Sequence, residues 1–291
     1  MGNFKFGVSL RSIGGREEWI AKCRQAEEIG YDVITAPDHL GAKMSPFAAL
    51  AVAAAVTERV RVGPLVLNVP FYNPALLARD IANTVRLSGD RFDLGVGAGH
   101  MKREFDDAGL PFNRASERIA YTAAAVAEIQ RRLDDEVVKQ PPLLIAGNSD
   151  GVLELAAAHA DIVGFAGLRQ KRGEAPGTFQ LDSPAAMDER VAFFKQHAGQ
   201  RAADVEFNML VQRVRITDDR RAAAAEWAAE LNQPDLDIDD LLDAPQLLLG
   251  TVVEIVDQLE SRRNRYGFSY ITVFEAELAK FAPIVQALTG H

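Results

Sequence analysis

The chain has 291 residues, 48% of them apolar and 25% charged, with 41 acidic against 32 basic side chains and a formal net charge of −9. Such a chain is globular rather than disordered or collagen-like, and it is long enough for one large domain or two small ones. The acidic balance argues against nucleic acid as a partner, since phosphate binding needs a basic surface, and the longest apolar run, Ala48 to Val56, is too short to cross a bilayer.

The opening Met1-Gly-Asn-Phe-Lys enters a strand pattern at once, without a leader pattern, which sets the expectation of a cytoplasmic protein. A first strand is predicted over Phe4–Leu10. A helix over Glu17–Ile29 follows, with Trp19, Ile20, Cys23, Ala26 and Ile29 on one stripe. Cys23, the single cysteine, lies on that stripe and reads as packing. Further strands are predicted over Asp32–Ala36, Val60–Leu67, Phe92–Val96, Leu143–Ala146, Ile162–Phe165, Glu206–Val214 and Tyr270–Phe274, with helices between them, among them Ala75–Leu87 and Ala115–Leu133. A last helix, Leu278–Leu288, closes the series. Eight strands each trailed by a helix, with no break in composition, favour a (β/α)8 TIM barrel over a doubly wound sheet, as one domain over residues 1–291. Two segments interrupt the rhythm. Gly167 to Pro184 forms an insertion after strand six, either a lid or substrate loop or a tolerated surface excursion; Asn232 to Pro245 is rich in Asp.

In such barrels chemistry collects at the C-terminal ends of the strands. Strand two ends Ile34-Thr-Ala-Pro-Asp-His-Leu, which places Asp38 and His39 on the rim. There an imidazole can exchange a proton near neutral pH and a carboxylate can orient a ligand. Strand three carries Pro and Gly, so it is expected to bulge and to press backbone against a flat ligand. Strand four is glycine-rich, but the third glycine of a dinucleotide fingerprint would fall at His100. Its end reads instead as a rim of small residues followed by His100, Arg103 and Glu104 aimed into the pocket. Strand five runs into Ala146, Gly147, Asn148 and Ser149 just before a helix near Val152, a favourable seat for a phosphate, and strand six ends in Ala166 and Gly167. Phe71, Tyr72, Met101 and Phe105 are candidates either for an apolar substrate wall or for packing. Val8-Ser-Leu10 lacks the His-x-His of metal-dependent hydrolase barrels, so no metal is expected. His159, His197 and His291 are given no role.

The stretches Ala36-Pro-Asp-His39, Gly63-Pro-Leu-Val-Leu with Phe71-Tyr-Asn-Pro74, Arg86-Leu-Ser-Gly-Asp-Arg-Phe-Asp-Leu-Gly-Val-Gly-Ala-Gly99 and Leu144-Ile-Ala-Gly147 together resemble the luciferase-like family of flavin and deazaflavin oxidoreductases. They occur in the family's order, and the likeness is greatest to actinobacterial members that use coenzyme F420 rather than FMN. The resemblance implies a cis peptide at Leu65–Val66 that supports one face of the cofactor ring, with Asp38 and His39 beside it. It also implies that Ala146, Gly147, Asn148, Ser149, Ala166 and Gly167 hold the cofactor phosphate, and that Arg169, Lys171 and Arg172 meet an acidic tail. Sugar-phosphate dehydrogenases of the family carry a glutamate where His100 stands and an asparagine where the cofactor-side Arg103 stands, so their substrate is not carried over. The expectation is an F420-dependent oxidoreductase acting on a small organic molecule, with His39 and His100 as proton donors or acceptors and a homodimer as the assembly. An FMN-dependent monooxygenase and a cofactor-binding barrel without catalysis are the alternatives.

Overall fold

The computed structural model describes residues 4–171, 173–174, 178–230 and 237–289. Thirteen strands occur among them: β1 (Lys5–Ser9), β2 (Val33–Ala36), β3 (Arg61–Pro64), β4 (Leu67–Asn68), β5 (Leu94–Gly97), β6 (Leu143–Ala146), β7 (Ile162–Phe165), β8 (Leu168–Gln170), β9 (Phe179–Leu181), β10 (Glu206–Leu210), β11 (Arg213–Ile216), β12 (Leu247–Gly250) and β13 (Phe268–Phe274). Nine form one parallel sheet in the order β3-β2-β1-β13-β10-β7-β6-β5-β4. Its two end members, β3 and β4, are successive pieces of a single interrupted stave, and a bridge from Val62 to Phe92 brings that stave against the approach to β5. The sheet therefore curls into a barrel of eight staves, the (β/α)8 architecture expected from the alternation of patterns.

Helices α1 (Arg16–Ile29), α2 (Pro46–Val56), α3 (Pro74–Leu87), α4 (Lys102–Asp107), α5 (Ala115–Asp135), α6 (Asp150–His159), α7 (Pro184–Ala198), α8 (Arg220–Glu230), α9 (Ile238–Asp243), α10 (Val252–Tyr266) and α11 (Ala282–Thr289) surround it or extend from it. Local chemistry sets several of their ends. Asn73 caps α3 by accepting from the Ala75 and Leu76 amides, and Pro74 at the first helical position gives up an N–H that has no partner there anyway. Thr251 and Glu254 form a reciprocal capping box at α10. Cys23 is fully buried within the main core, as its stripe predicted.

Two expectations are corrected. The run Glu206–Val214 is not one strand: the chain leaves the barrel after Leu210, and Arg213–Ile216 pairs instead with β12, a strand that the sequence reading did not mark. β12 packs with α8 and α9 in a satellite core of Ala223, Ala224, Ala228, Leu241, Ala244, Leu247 and Leu249. Its LLLG run is wholly buried and carries no alternation, which hides a strand from a period-two search. The insertion after strand six folds in part as an antiparallel hairpin of β8 and β9. Arg172, expected to meet an acidic tail, lies outside the described residues.

At the interrupted stave the peptide bond between Leu65 and Val66 is cis, as the family resemblance implied. The neighbouring stave leaves room for this only because it carries glycine: a Cβ on Gly95 would lie 2.0 Å from the Pro64 carbonyl oxygen, and one on Gly97 would lie 2.7 Å from Val66 Cγ2. Gly95→Ala is therefore expected to cost about 3 kcal/mol, the upper range for overpacking a core. The urea midpoint measures this, with Gly41→Ala as control because its added methyl meets open space; an unchanged midpoint for Gly95→Ala would remove the close approach as a constraint.

Candidate active site

The C-terminal ends of the staves bring together residues far apart in the chain. Past β2, the Asp38 carboxylate accepts the Asn68 backbone N–H at 2.9 Å, joining the second stave to the far half of the broken third one. The Tyr72 hydroxyl donates to the same carboxylate. Burial nonetheless pushes the Asp38 pKa above the usual carboxylate value, outweighing the donors that pull it down. The folded state thus loses stability as pH rises and Asp38 is forced to charge in a poorly solvated place.

His39 meets a carboxylate that lies 65 residues away in sequence. Its Nδ1 is 3.1 and 3.0 Å from the two oxygens of Glu104 on α4, and the Glu104 side chain is only 8% exposed. A carboxylate only accepts, so Nδ1 carries the hydrogen of this bond, and Nε2 is the ring nitrogen that Glu104 leaves unengaged. The other rim histidine, His100, packs its ring edge-on to His39 with centroids 5.5 Å apart. On its other side stands Phe179 of β9, at 5.2 Å. His100 is open to solvent at the rim, but the protein atoms crowding it, followed by the neighbouring His39, lower its pKa below the ordinary 6.5.

Arg103 does not join this group. It is adjacent to Glu104 on α4, and successive helical residues point about 100° apart, so only one of the two can face the mouth. Glu104 takes that position; Arg103 is 88% exposed and lies 3.7 Å from Asp107 along the helix. Phe105, a candidate for the substrate wall, is 1% exposed and packs between Phe71 and Phe112. The loop carrying His100 is held by Arg118 of α5, unmarked in the sequence reading. Its guanidinium donates to the carbonyls of Ala98 at 3.0 Å, Gly99 at 3.2 Å and Asn113, and covers the Phe112 ring at 4.0 Å.

The residues expected at the phosphate seat do converge. Ala146 pairs with Gly164 across β6 and β7, so Gly147, Asn148 and Ser149 lie beside Ala166 and Gly167. Ser149 caps α6 without a side-chain bond to the helix, leaving its hydroxyl available. Asn148 donates to the Leu168 carbonyl and to Asp182, while its buried Oδ1 has no partner. Gln246, again unmarked, donates to the carbonyls of Gly167 at 2.9 Å and Asp182 at 2.8 Å, and Gln212 donates to that of Ala166 at 3.4 Å. Leu65 and Val66 are half-buried and pack against Val33, Leu144, Ile162 and Tyr270. Among the described residues no cluster of His, Cys, Asp or Glu could hold a metal ion, and no helix is long and apolar enough to cross a membrane.

An eight-stave barrel with an interrupted third stave and its polar side chains gathered at the C-terminal rim has the architecture of luciferase-like enzymes. The chain belongs to the luciferase-like monooxygenase family, whose model matches residues 5–244. An F420-dependent glucose-6-phosphate dehydrogenase of Intrasporangium calvum is 34% identical over 134 residues, which are 43% of this chain and only 40% of that protein. Among solved structures, an F420-dependent secondary alcohol dehydrogenase bound to an F420–acetone adduct superimposes with a TM-score of 0.73 at 16% identity, over 98% of this chain and 97% of that one. The FMN-bound oxygenating component of 3,6-diketocamphane monooxygenase from Pseudomonas putida does so with a TM-score of 0.70 at 16% identity, over 99% and 96%. At these identities the two structures share the fold. Proteins of this fold thus include one bound to an F420 adduct and one bound to FMN.

The lowered pKa of His100 has a measurable sign. The unfolded chain takes up the proton at a higher pH than the folded one, so folded stability is retained above 6.5 and declines as pH falls through that value toward the folded pKa. NMR titration of the His100 ring is expected to give a midpoint below 6.5, and His100→Asn to flatten the decline; a midpoint at or above 6.5 would contradict the crowding.

Proposed function

We propose that this chain is an F420-dependent oxidoreductase that transfers a hydride between the deazaflavin and a small organic substrate, most naturally in the direction of reduction. The observation that carries the reading is the Glu104–His39–His100 group at the barrel mouth, beside the Leu65–Val66 break and one stave away from a seat of small residues. The cofactor fits the residues present. Gly147 and Ala166, both half-buried, leave backbone accessible at the ends of two staves, and the orphaned Asn148 Oδ1 is an acceptor suited to a polyol hydroxyl. The residues that hold it in this reading are Asp38, His39, Leu65 and Val66 at the ring, and Ala146, Gly147, Asn148, Ser149, Ala166 and Gly167 along the side chain and phosphate. Arg103, turned to solvent, is left out.

When bound, F420 supplies a two-electron hydride carrier that reacts poorly with oxygen, whereas reduced FMN would bring oxygen chemistry. The protein's own part is orientation and proton handling. Glu104 fixes the His39 tautomer and ring plane, so that Nε2 holds or releases the proton that accompanies hydride transfer. His100, neutral at pH 7, is the second acceptor at the rim. A homodimer belongs to the same reading and rests on the family likeness.

Fluorescence titration with reduced F420 and, separately, reduced FMN is the direct test, with tighter binding of F420 expected. Tight binding of FMN alone would overturn the cofactor assignment. His39→Asn is expected to leave F420 affinity within a few fold and lower turnover by about a hundredfold or more, the usual scale of a lost general acid or base. Glu104→Gln, which keeps an acceptor for Nδ1–H but not the charge, is expected to fall between His39→Asn and the wild type. A fully active His39→Asn enzyme would take the imidazole out of the mechanism.

A further inference from the structure

We infer that Phe179 determines specificity at the mouth, and that it selects a neutral, flat, largely apolar carbonyl compound rather than a phosphorylated sugar. The inference deepens the function proposed above: it takes the same site and asks what stands on the substrate side of the histidines.

The hairpin that carries Phe179 is anchored at its stem. The Asp182 N–H donates to the Gly167 carbonyl at 2.8 Å, and fully buried Gln246 clasps the carbonyls of both residues with one amide nitrogen. Asp182, 3% exposed, also accepts from Asn148 and lies 3.5 Å from Arg169. Side chains alternate along a strand, so Phe179 and Leu181 share a face of β9. Leu181 packs against the satellite core. Two residues along, Phe179 reaches His100, which in turn meets His39. A ligand entering from the hairpin side therefore slides along an aromatic edge before it meets either imidazole.

The charges on this wall decide the ligand class. A phosphate monoester is recognised by uncommitted cations, best by a bidentate guanidinium. Here the hairpin's Arg169 is engaged with Asp182, and Lys171 beyond it falls, by the same alternation, on the face opposite Phe179; His39 is turned toward Glu104, and His100 is held neutral at pH 7 by its surroundings. Among the described residues, the hairpin face that carries Phe179 offers a phenyl edge set against two imidazoles. That lining suits a flat apolar body with one hydrogen-bond acceptor.

The test uses acetophenone and glucose 6-phosphate as probes and reads the His100 and His39 ring signals by NMR, on the chain alone and with oxidised F420 or oxidised FMN. Saturable movement of the His100 signal by acetophenone, with none from glucose 6-phosphate at equal concentration, is expected. Phe179→Ala should weaken acetophenone binding about tenfold, the scale of one lost aromatic contact, with Phe179→Leu in between. It should also raise the His100 titration midpoint, a change that a merely structural role would not produce. If glucose 6-phosphate moves His100, or both variants hold acetophenone within twofold of wild type, the inference falls. Because the probes are read without turnover, that failure is separate from failure of the F420 titration.

Discussion

The close passage of the third stave over the glycines of its neighbour is the constraint on which the mouth of this barrel depends. Pro64 has no N–H to give to a ladder, and its carbonyl stands where any side chain at residue 95 would have to be. The stave breaks there and resumes at Leu67, and each half is tied to β2 separately: the Leu65 N–H donates to the Ala36 carbonyl at 2.9 Å, and the Asn68 N–H to Asp38. Two half-buried aliphatic side chains, Leu65 and Val66, thereby pack against Val33, Leu144, Ile162 and Tyr270 at the point where an unbroken strand would have offered a flat ladder. Asp38, held as an acceptor for backbone, positions the residue next to it, His39.

Around that break the rim is stitched by side chains that satisfy backbone groups of other staves. Glu275, after β13, accepts the Arg11 and Ser12 amides at 2.6 and 2.9 Å and pairs with Lys22 at 2.7 Å. Arg118 holds the carbonyls ahead of His100, and Gln246 those at the base of the hairpin. Loops that would otherwise carry unsatisfied polar atoms are made rigid in this way, and a rigid loop is what sets two imidazoles edge to edge at a fixed distance. The net charge of −9 has little part in this: the decisive charges are paired locally, Glu104 with His39 and Asp182 with Asn148 and Arg169.

The barrel itself was legible because its staves are short buried runs separated by amphipathic helices, and seven of the eight keep roughly the bounds read from the pattern. The exception is β10, where Leu210 and Arg213 belong to different sheets although Val211 and Gln212 between them carry no Gly or Pro to mark the turn. Asp38, His39 and His100 were legible because each stands directly after a stave, and Glu104 because it closes the same short polar run. The misreading of Arg103 has the same source: adjacent residues on one turn are indistinguishable in sequence, and packing decides which of them faces inward. Arg118 and Gln246 left no signal, since an arginine in an amphipathic helix and a glutamine ahead of an apolar run have many ordinary uses.

The sequence by itself determined the alternation of strands and helices, the strand ends at which chemistry can sit, and the small residues that keep the rim open, because all of these follow from local periodicity and from side-chain size. The tertiary structure alone decided which carboxylate serves His39, that a phenylalanine from the insertion stands against His100, and that a buried glutamine clasps the hairpin stem. Those contacts join residues 65, 79 and 79 positions apart. No local pattern encodes a contact across such a separation, because it exists only once the staves have closed and brought their C-terminal ends into one ring.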